Sequence, residues 1–186
     1  NTNNKVAYIS NALDWSKDLE RRKKTDDRNI SDLTSVGLQA TQLDLREYFD
    51  KKEGLLAELW KYDVIWVSGG NTFVLRQAMK LSWLDEIIKE FYENNKDIVY
   101  CAYSAWVCIL WPTLKWLSIV DDPSQKAYWE EHETIWDWLN ILNYTVAPHY
   151  RPDHPESEDI EKEVQFMIDN KMLFVALEDG DVIIIE

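Results

Sequence analysis

Asp97-Ile98-Val99-Tyr100-Cys101-Ala102-Tyr103-Ser104-Ala105-Trp106 is the stretch on which the reading of this chain turns. Residues 97–102 make the short, mainly apolar run expected of a strand covered on both faces. Ser104 follows almost at once, and Ala105–Leu110 resumes as an apolar helix candidate. A serine held between an apolar strand and an apolar helix fits a sharp strand-to-helix turn that exposes its hydroxyl. The plainer alternative is a serine that caps the helix it precedes.

The pattern recurs on both sides of this stretch. Lys5–Ser10 and Asp63–Ser68 read as buried strands, Gln39–Leu45 as a strand running into a loop, and Tyr144–Ala147 as a strand ending at Pro148-His149. Helical spacing covers Ser16–Val36, Lys52–Lys61, Phe73–Lys80, Leu84–Asn95 and Ser157–Asn170. Leu173–Leu177 and Val182–Ile185 pair as a hairpin across Glu178-Asp179-Gly180-Asp181. Strands alternating with helices predict βαβ units and a mainly parallel sheet. The expected fold is α/β, a three-layer αβα arrangement plus a C-terminal β-hairpin. Residues 1–186 form a single domain without repeat or linker.

Composition narrows the function. The chain has 186 residues, 46 % of them hydrophobic, enough for a substantial core. Its formal net charge of −14 disfavours nucleic acid as a partner. No apolar run approaches the roughly 18–20 residues of a membrane helix, and Asn1-Thr2-Asn3-Asn4-Lys5 lacks a signal-peptide pattern. Cys101 and Cys108 read as buried free thiols, so a cytoplasmic location is the expectation. The His and Cys residues lack metal-ligand spacing, and no metal or cofactor is expected.

Three polar breaks follow predicted strands, where sites of open α/β sheets lie: Gly69-Gly70-Asn71, Ser104 and His149. The first could hold an anion on its backbone N–H groups, or be a turn in which Asn71 caps a helix. A serine hydroxyl needs a base to take its proton. Of the three histidines, His132 lies among glutamates and His154 in a loop, whereas His149 shares the sheet edge with Ser104.

Ser68-Gly69-Gly70-Asn71-Thr72-Phe73, Tyr100-x-x-x-Ser104-Ala105, Trp111-Pro112-Thr113 and Pro148-His149-Tyr150 occur in one order. With them the chain resembles the dipeptidase E and cyanophycinase family of serine peptidases, peptidase family S51, from Val6 to about Ile185. The resemblance implies a class I glutamine amidotransferase-like, flavodoxin-like fold. It implies Ser104 as nucleophile, His149 as general base, and the Gly70 and Ala105 N–H groups as oxyanion donors. Asp179, with Glu178 adjacent, matches the acid that orients the histidine; Asp121 and Asp122 are a second option. The substrate is then a small peptide, with aspartate on the amino side of the scissile bond. Asn71, Arg76 and Arg151 are candidate substrate-binding residues, although the helix after His149 is acidic over Glu158–Val164. Either a monomer or a homodimer would serve.

The chain also departs from that pattern. Ala102 and Trp106 flank Ser104 at positions where the elbow has glycine, and the family's first strand and helix are not matched. Ten tryptophans stand against five glycines, where glycine ordinarily makes up about 7 % of a chain. Trp83, Trp106, Trp111, Trp116 and Trp138 all fall where glycine is the natural residue, and several are read as glycine codons translated through the wrong genetic code. Two rival readings stay open: a catalytically inactive binding domain on the same fold, and an amidotransferase relative using Cys101 or Cys108.

Overall fold

Four parallel strands carry the molecule, in the order β2-β1-β3-β4. They are β1 (Lys5–Ile9), β2 (Gln39–Gln42), β3 (Val64–Val67) and β4 (Val99–Ala102). The computed structural model describes residues 4–111, 115–128, 133–150 and 157–185, without the side chains of Ala105, Trp106 and Cys108. Register is continuous across the sheet: Val6 lies beside Ala40 and Val64, and Val67 beside Ile9 and Ala102.

The helices follow the predicted spacing. They are α1 (Leu19–Ser35), α2 (Lys52–Leu59), α3 (Thr72–Ser82), α4 (Leu84–Glu93) and α5 (Ser157–Asp169). The Asp18 side chain caps α1 by accepting from the Arg21 N–H at 2.9 Å. Just past its end Gly37, at φ +86°, donates to the Thr34 carbonyl.

Alternation along β1 divides the core. Val6 and Tyr8 pack with Leu33 of α1 on one face. On the other face Ala7 and Ile9 join Ile65, Val67 and the buried sides of α2, α3 and α4. A sheet with apolar residues on both faces must be covered on both, which makes the three layers.

Two elements differ from the sequence-based expectation. The predicted C-terminal hairpin is not formed: β6 (Phe174–Ala176) pairs in parallel with β5 (Thr145–Ala147) as a second, two-stranded sheet. Residues 182–185 take no strand pairing, and the turn before them closes by a bond from the Asp181 N–H to the Glu178 carbonyl. β5 offers β6 a buried partner, whereas Val182, Ile184 and Ile185 are exposed and gain no burial. The helix after β4 is a tight 3-10 helix over Ser104–Leu110 rather than an α-helix.

The tryptophans set aside in the sequence are also unusual in the structure. Trp83 alone links α3 to α4, with left-handed φ +66°. That conformation costs an ordinary L-residue roughly 1–2 kcal/mol. Trp111, Trp116 and Trp138 are buried, and their indole N–H groups have no acceptor among the described residues. Each orphaned donor costs about 1–3 kcal/mol.

Two phenols bond between segments far apart in the chain. The Tyr8 hydroxyl donates to Asp26 at 2.9 Å, and the Tyr128 hydroxyl donates to Asp14. Burial first, then the neighbouring acid, pushes both phenols far above the ordinary tyrosine range. Ionisation therefore favours the unfolded chain, so this stability is intact below about pH 10 and declines as pH rises beyond it. Urea unfolding at about pH 8 and about pH 11 should show the decline, and Tyr8→Phe should lessen it.

Candidate active site

The chain leaves β1 for β2 on one side and later places β3 on the other. That reversal opens a crevice at the carboxyl ends of β1 and β3. Three connections meet there: Ser10–Asp14 after β1, Ser68–Asn71 after β3, and Tyr103–Ser104 after β4.

Glycine makes their approach possible. A Cβ on Gly69 would stand 3.3 Å from Ser104 Cβ and 3.5 Å from Ser104 Oγ. Gly70, at φ +146°, is tighter still: its Cβ would fall 2.7 Å from Ala12 Cβ and 2.8 Å from the Ala12 carbonyl oxygen. Among the described residues the Gly70 N–H has no backbone acceptor. Asn71 then bonds the turn to its surroundings. Its N–H donates to the Ala12 carbonyl at 3.1 Å, its Oδ1 accepts from the Val74 N–H at 3.0 Å, and its Nδ2 donates to the Asp122 carbonyl at 3.1 Å. Asn71 is thus the N-cap of α3, the plainer role its position allowed. Gly70→Ala should destabilise the protein by at least about 1–3 kcal/mol through overpacking, measured by urea unfolding.

Ser104 has φ +59°. A non-glycine residue in that region is uncommon and costs energy, and such strain concentrates at functional turns. His149, two residues beyond β5, also has positive φ, +58°. Its Nδ1 lies 2.6 Å from Asp179 Oδ1, and the carboxylate is half-exposed. Ser104, His149, Gly70, Asn71, Asp121 and Glu163 share the wall of one cleft of about 360 Å³.

The neighbouring acids have other partners. Asp121 accepts from the Thr72 N–H at 2.8 Å and from the Thr72 hydroxyl, at the start of α3. Asp122 accepts from the Ser124 hydroxyl at 2.6 Å and its N–H at 2.9 Å, bonds that hold its carboxyl below the ordinary range. Glu178 engages the turn through its backbone, its N–H donating to Asp181 at 3.0 Å. Among the described residues, Asp179 is the one of these four acids whose carboxylate lies at hydrogen-bond distance from the His149 ring.

Arg76 is placed away from the cleft. It is buried, does not line the cleft, and is committed to Asp85 at 2.8 Å and to the Asp137 carbonyl at 2.9 Å. Its place on the inward side of α3 explains this: burial of a guanidinium requires a paired acid and acceptors. Arg151, Pro112, Thr113, His132 and His154 lie outside the described residues. The cleft also takes in Arg21, Arg22 and Glu163, which the sequence reading did not single out. They come from helices α1 and α5, far from any motif, so no local signal marks them. Arg22 is paired with Asp14. Burial raises the Cys101 thiol pKa and disfavours a thiolate there. Among the described residues, no group of three His, Cys, Asp or Glu side chains could hold a metal ion. Arg76→Ala should cost about 3–5 kcal/mol in urea unfolding by leaving Asp85 buried and unpaired, with part of the loss recovered when Asp85→Leu is added.

The profile of peptidase family S51 matches residues 1–186. An uncharacterized peptidase of Listeria innocua is 34 % identical over 118 residues, 63 % of this chain and 53 % of the relative. A second one, from Listeria monocytogenes, is 32 % identical over 118 residues, 63 % of this chain and 54 % of the relative. The chain spans about half the length of these curated relatives. Among solved structures, a candidate peptidase E protein from Listeria monocytogenes EGD-e aligns with a TM-score of 0.69 at 26 % identity. The alignment covers 94 % of this chain and 78 % of that one.

Proposed function

Because the chain belongs to peptidase family S51, we propose that it is a serine peptidase of the dipeptidase E type. The observation that carries this reading is the strained Ser104 in one cleft with a His149 ring that meets Asp179.

Each group has a physical task. With Nδ1 turned to Asp179, His149 keeps Nε2 for the substrate side, where it takes the Ser104 proton as Oγ attacks the peptide carbonyl. Asp179 orients the ring and stabilises the imidazolium that forms. The carbonyl oxygen becomes an oxyanion facing the backbone N–H groups of Gly70 and Ala105, each worth roughly 3–4 kcal/mol in related hydrolases. His149 then gives its proton to the leaving amine, and water releases the acyl group from Ser104 by the same route in reverse. No step requires a cofactor.

The cleft of about 360 Å³ lies at the small end of ligand pockets, which suits a small peptide. A preference for aspartate on its amino side has Arg21 as a cleft cation and Arg151 as a further candidate. The acidic surface argues against nucleic acid as a partner. No described helix is long and apolar enough to cross a membrane. The setting proposed is the cytoplasm, with the enzyme a monomer or homodimer.

The test is intact mass before and after a serine-directed fluorophosphonate. One adduct is expected, lost in Ser104→Ala, and Asp179→Asn should slow labelling on the order of 10²-fold or more. A folded protein that takes no adduct would instead be an inactive binding relative.

A further inference from the structure

Nine of the ten tryptophans fall into two groups; Trp129 lies outside the described residues. Trp15, Trp60 and Trp136 are partly exposed, and Trp60 packs its ring on Phe91 at 5.4 Å. Trp66 lies within β3 beside Tyr103 and shares an indole N–H without an acceptor among the described residues, but it is a strand residue whose side chain is only partly buried. These four are placed by the exposure or strand position of the side chain, so the missing acceptor alone does not separate the groups.

Trp83, Trp111, Trp116 and Trp138 form the second group. Helix α3 ends at Ser82 and α4 begins at Leu84, so Trp83 makes the whole connection with one left-handed residue. Glycine is the usual residue at such a helix end, with asparagine next. The other non-glycine residues at positive φ among those described are Asn4, Asp50, Asn95, Ser104, Asn140, His149 and Lys171. Asparagine and aspartate tolerate that region through local hydrogen bonds, and Ser104 and His149 belong to the cleft. An indole has no such excuse.

The other three share a different defect. Trp111, Trp116 and Trp138 are at most 4 % exposed, and none of their indole N–H groups has an acceptor among the described residues. Buried tryptophan normally finds a partner for that donor. Trp111 and Trp116 lie against each other with ring centroids 4.9 Å apart, an ordinary aromatic contact. Trp106 joins the group on its position alone, two residues after Ser104, where a nucleophile elbow takes glycine.

We infer that positions 83, 106, 111, 116 and 138 are glycine in the working protein, the tryptophans there being UGA codons read through the wrong code. Codes that reassign UGA give it to tryptophan in some lineages and to glycine in others. One substitution rule accounts for the left-handed indole, the orphaned donors and the shortage of glycine. It makes residues 104–106 read Ser-Ala-Gly, so the turn behind Ser104 loses its bulk and the chain can pack close to β4. For positions 83, 111, 116 and 138 the inference does not depend on the peptidase reading; position 106 rests on it.

The codons decide it. UGA is expected at these five positions and UGG at 60 and 66, with glycine in the corresponding peptides when protein from its own cells is sequenced by tandem mass spectrometry. UGG at 83 or 116, or tryptophan in those native peptides, overturns it. Expressed side by side, the chain carrying all five glycines should melt at least about 5 °C above the tryptophan chain. An equal or lower Tm overturns the structural argument. Fluorophosphonate labelling of the glycine chain is scored separately: a raised Tm without an adduct would retain the glycines and remove the hydrolase reading.

Discussion

Everything at the carboxyl edge of the sheet depends on how closely the Gly69-Gly70 turn can approach its neighbours. It is wedged between Ala12, at the end of β1, and Ser104, at the end of β4. No room exists for a Cβ at Gly70, and little for one at Gly69. Because the two glycines yield that space, three strand ends converge on one crevice. Asn71 then bonds the turn to Ala12 and to Asp122, so the wedge is held as well as permitted.

A second constraint holds the cleft mouth. Asn11 donates to Asp14 at 2.8 Å and to Asp44 at 3.0 Å, and accepts from the Leu45 N–H at 3.1 Å. Tyr128 reaches back to the Asn11 carbonyl and to Asp14, which also pairs with Arg22 of α1. Segments far apart in the chain therefore share one polar knot at the end of β1. In a chain of net charge −14, most acid is solvated, and the acids that organise the fold are the few that acquired partners. The Arg76–Asp85 pair is another, joining α3 to α4 away from the cleft.

The candidate site was legible where its signal was local. Ser104 is a polar residue between two apolar elements, Gly69-Gly70 breaks a strand before a helix, and Pro148-His149 ends one. Each can be read from its flanking residues, because strand ends of a parallel sheet project to the same edge. Arg76 misled for the opposite reason. It sits near the motif in sequence, but α3 turns it inward, and helix rotation relative to the core is not visible from proximity along the chain. Glu163 and Arg21 were invisible because only packing of distant helices brings them to the cleft.

The C-terminal segment makes the same point. Two apolar runs flanking an acidic turn suit a hairpin locally, yet β6 pairs with β5, some thirty residues earlier, because that partner is buried. The sequence alone determined the βαβ alternation, the doubly covered strands, the three polar breaks and the excess of tryptophan over glycine. These are properties of composition and short-range period. Only the tertiary structure decided which acid meets His149, which arginine is spent in a buried pair, which strand β6 joins, and which tryptophans lack an acceptor or a permitted backbone. Those choices are made among groups that are equivalent along the chain and become different only when burial and distance in space are imposed.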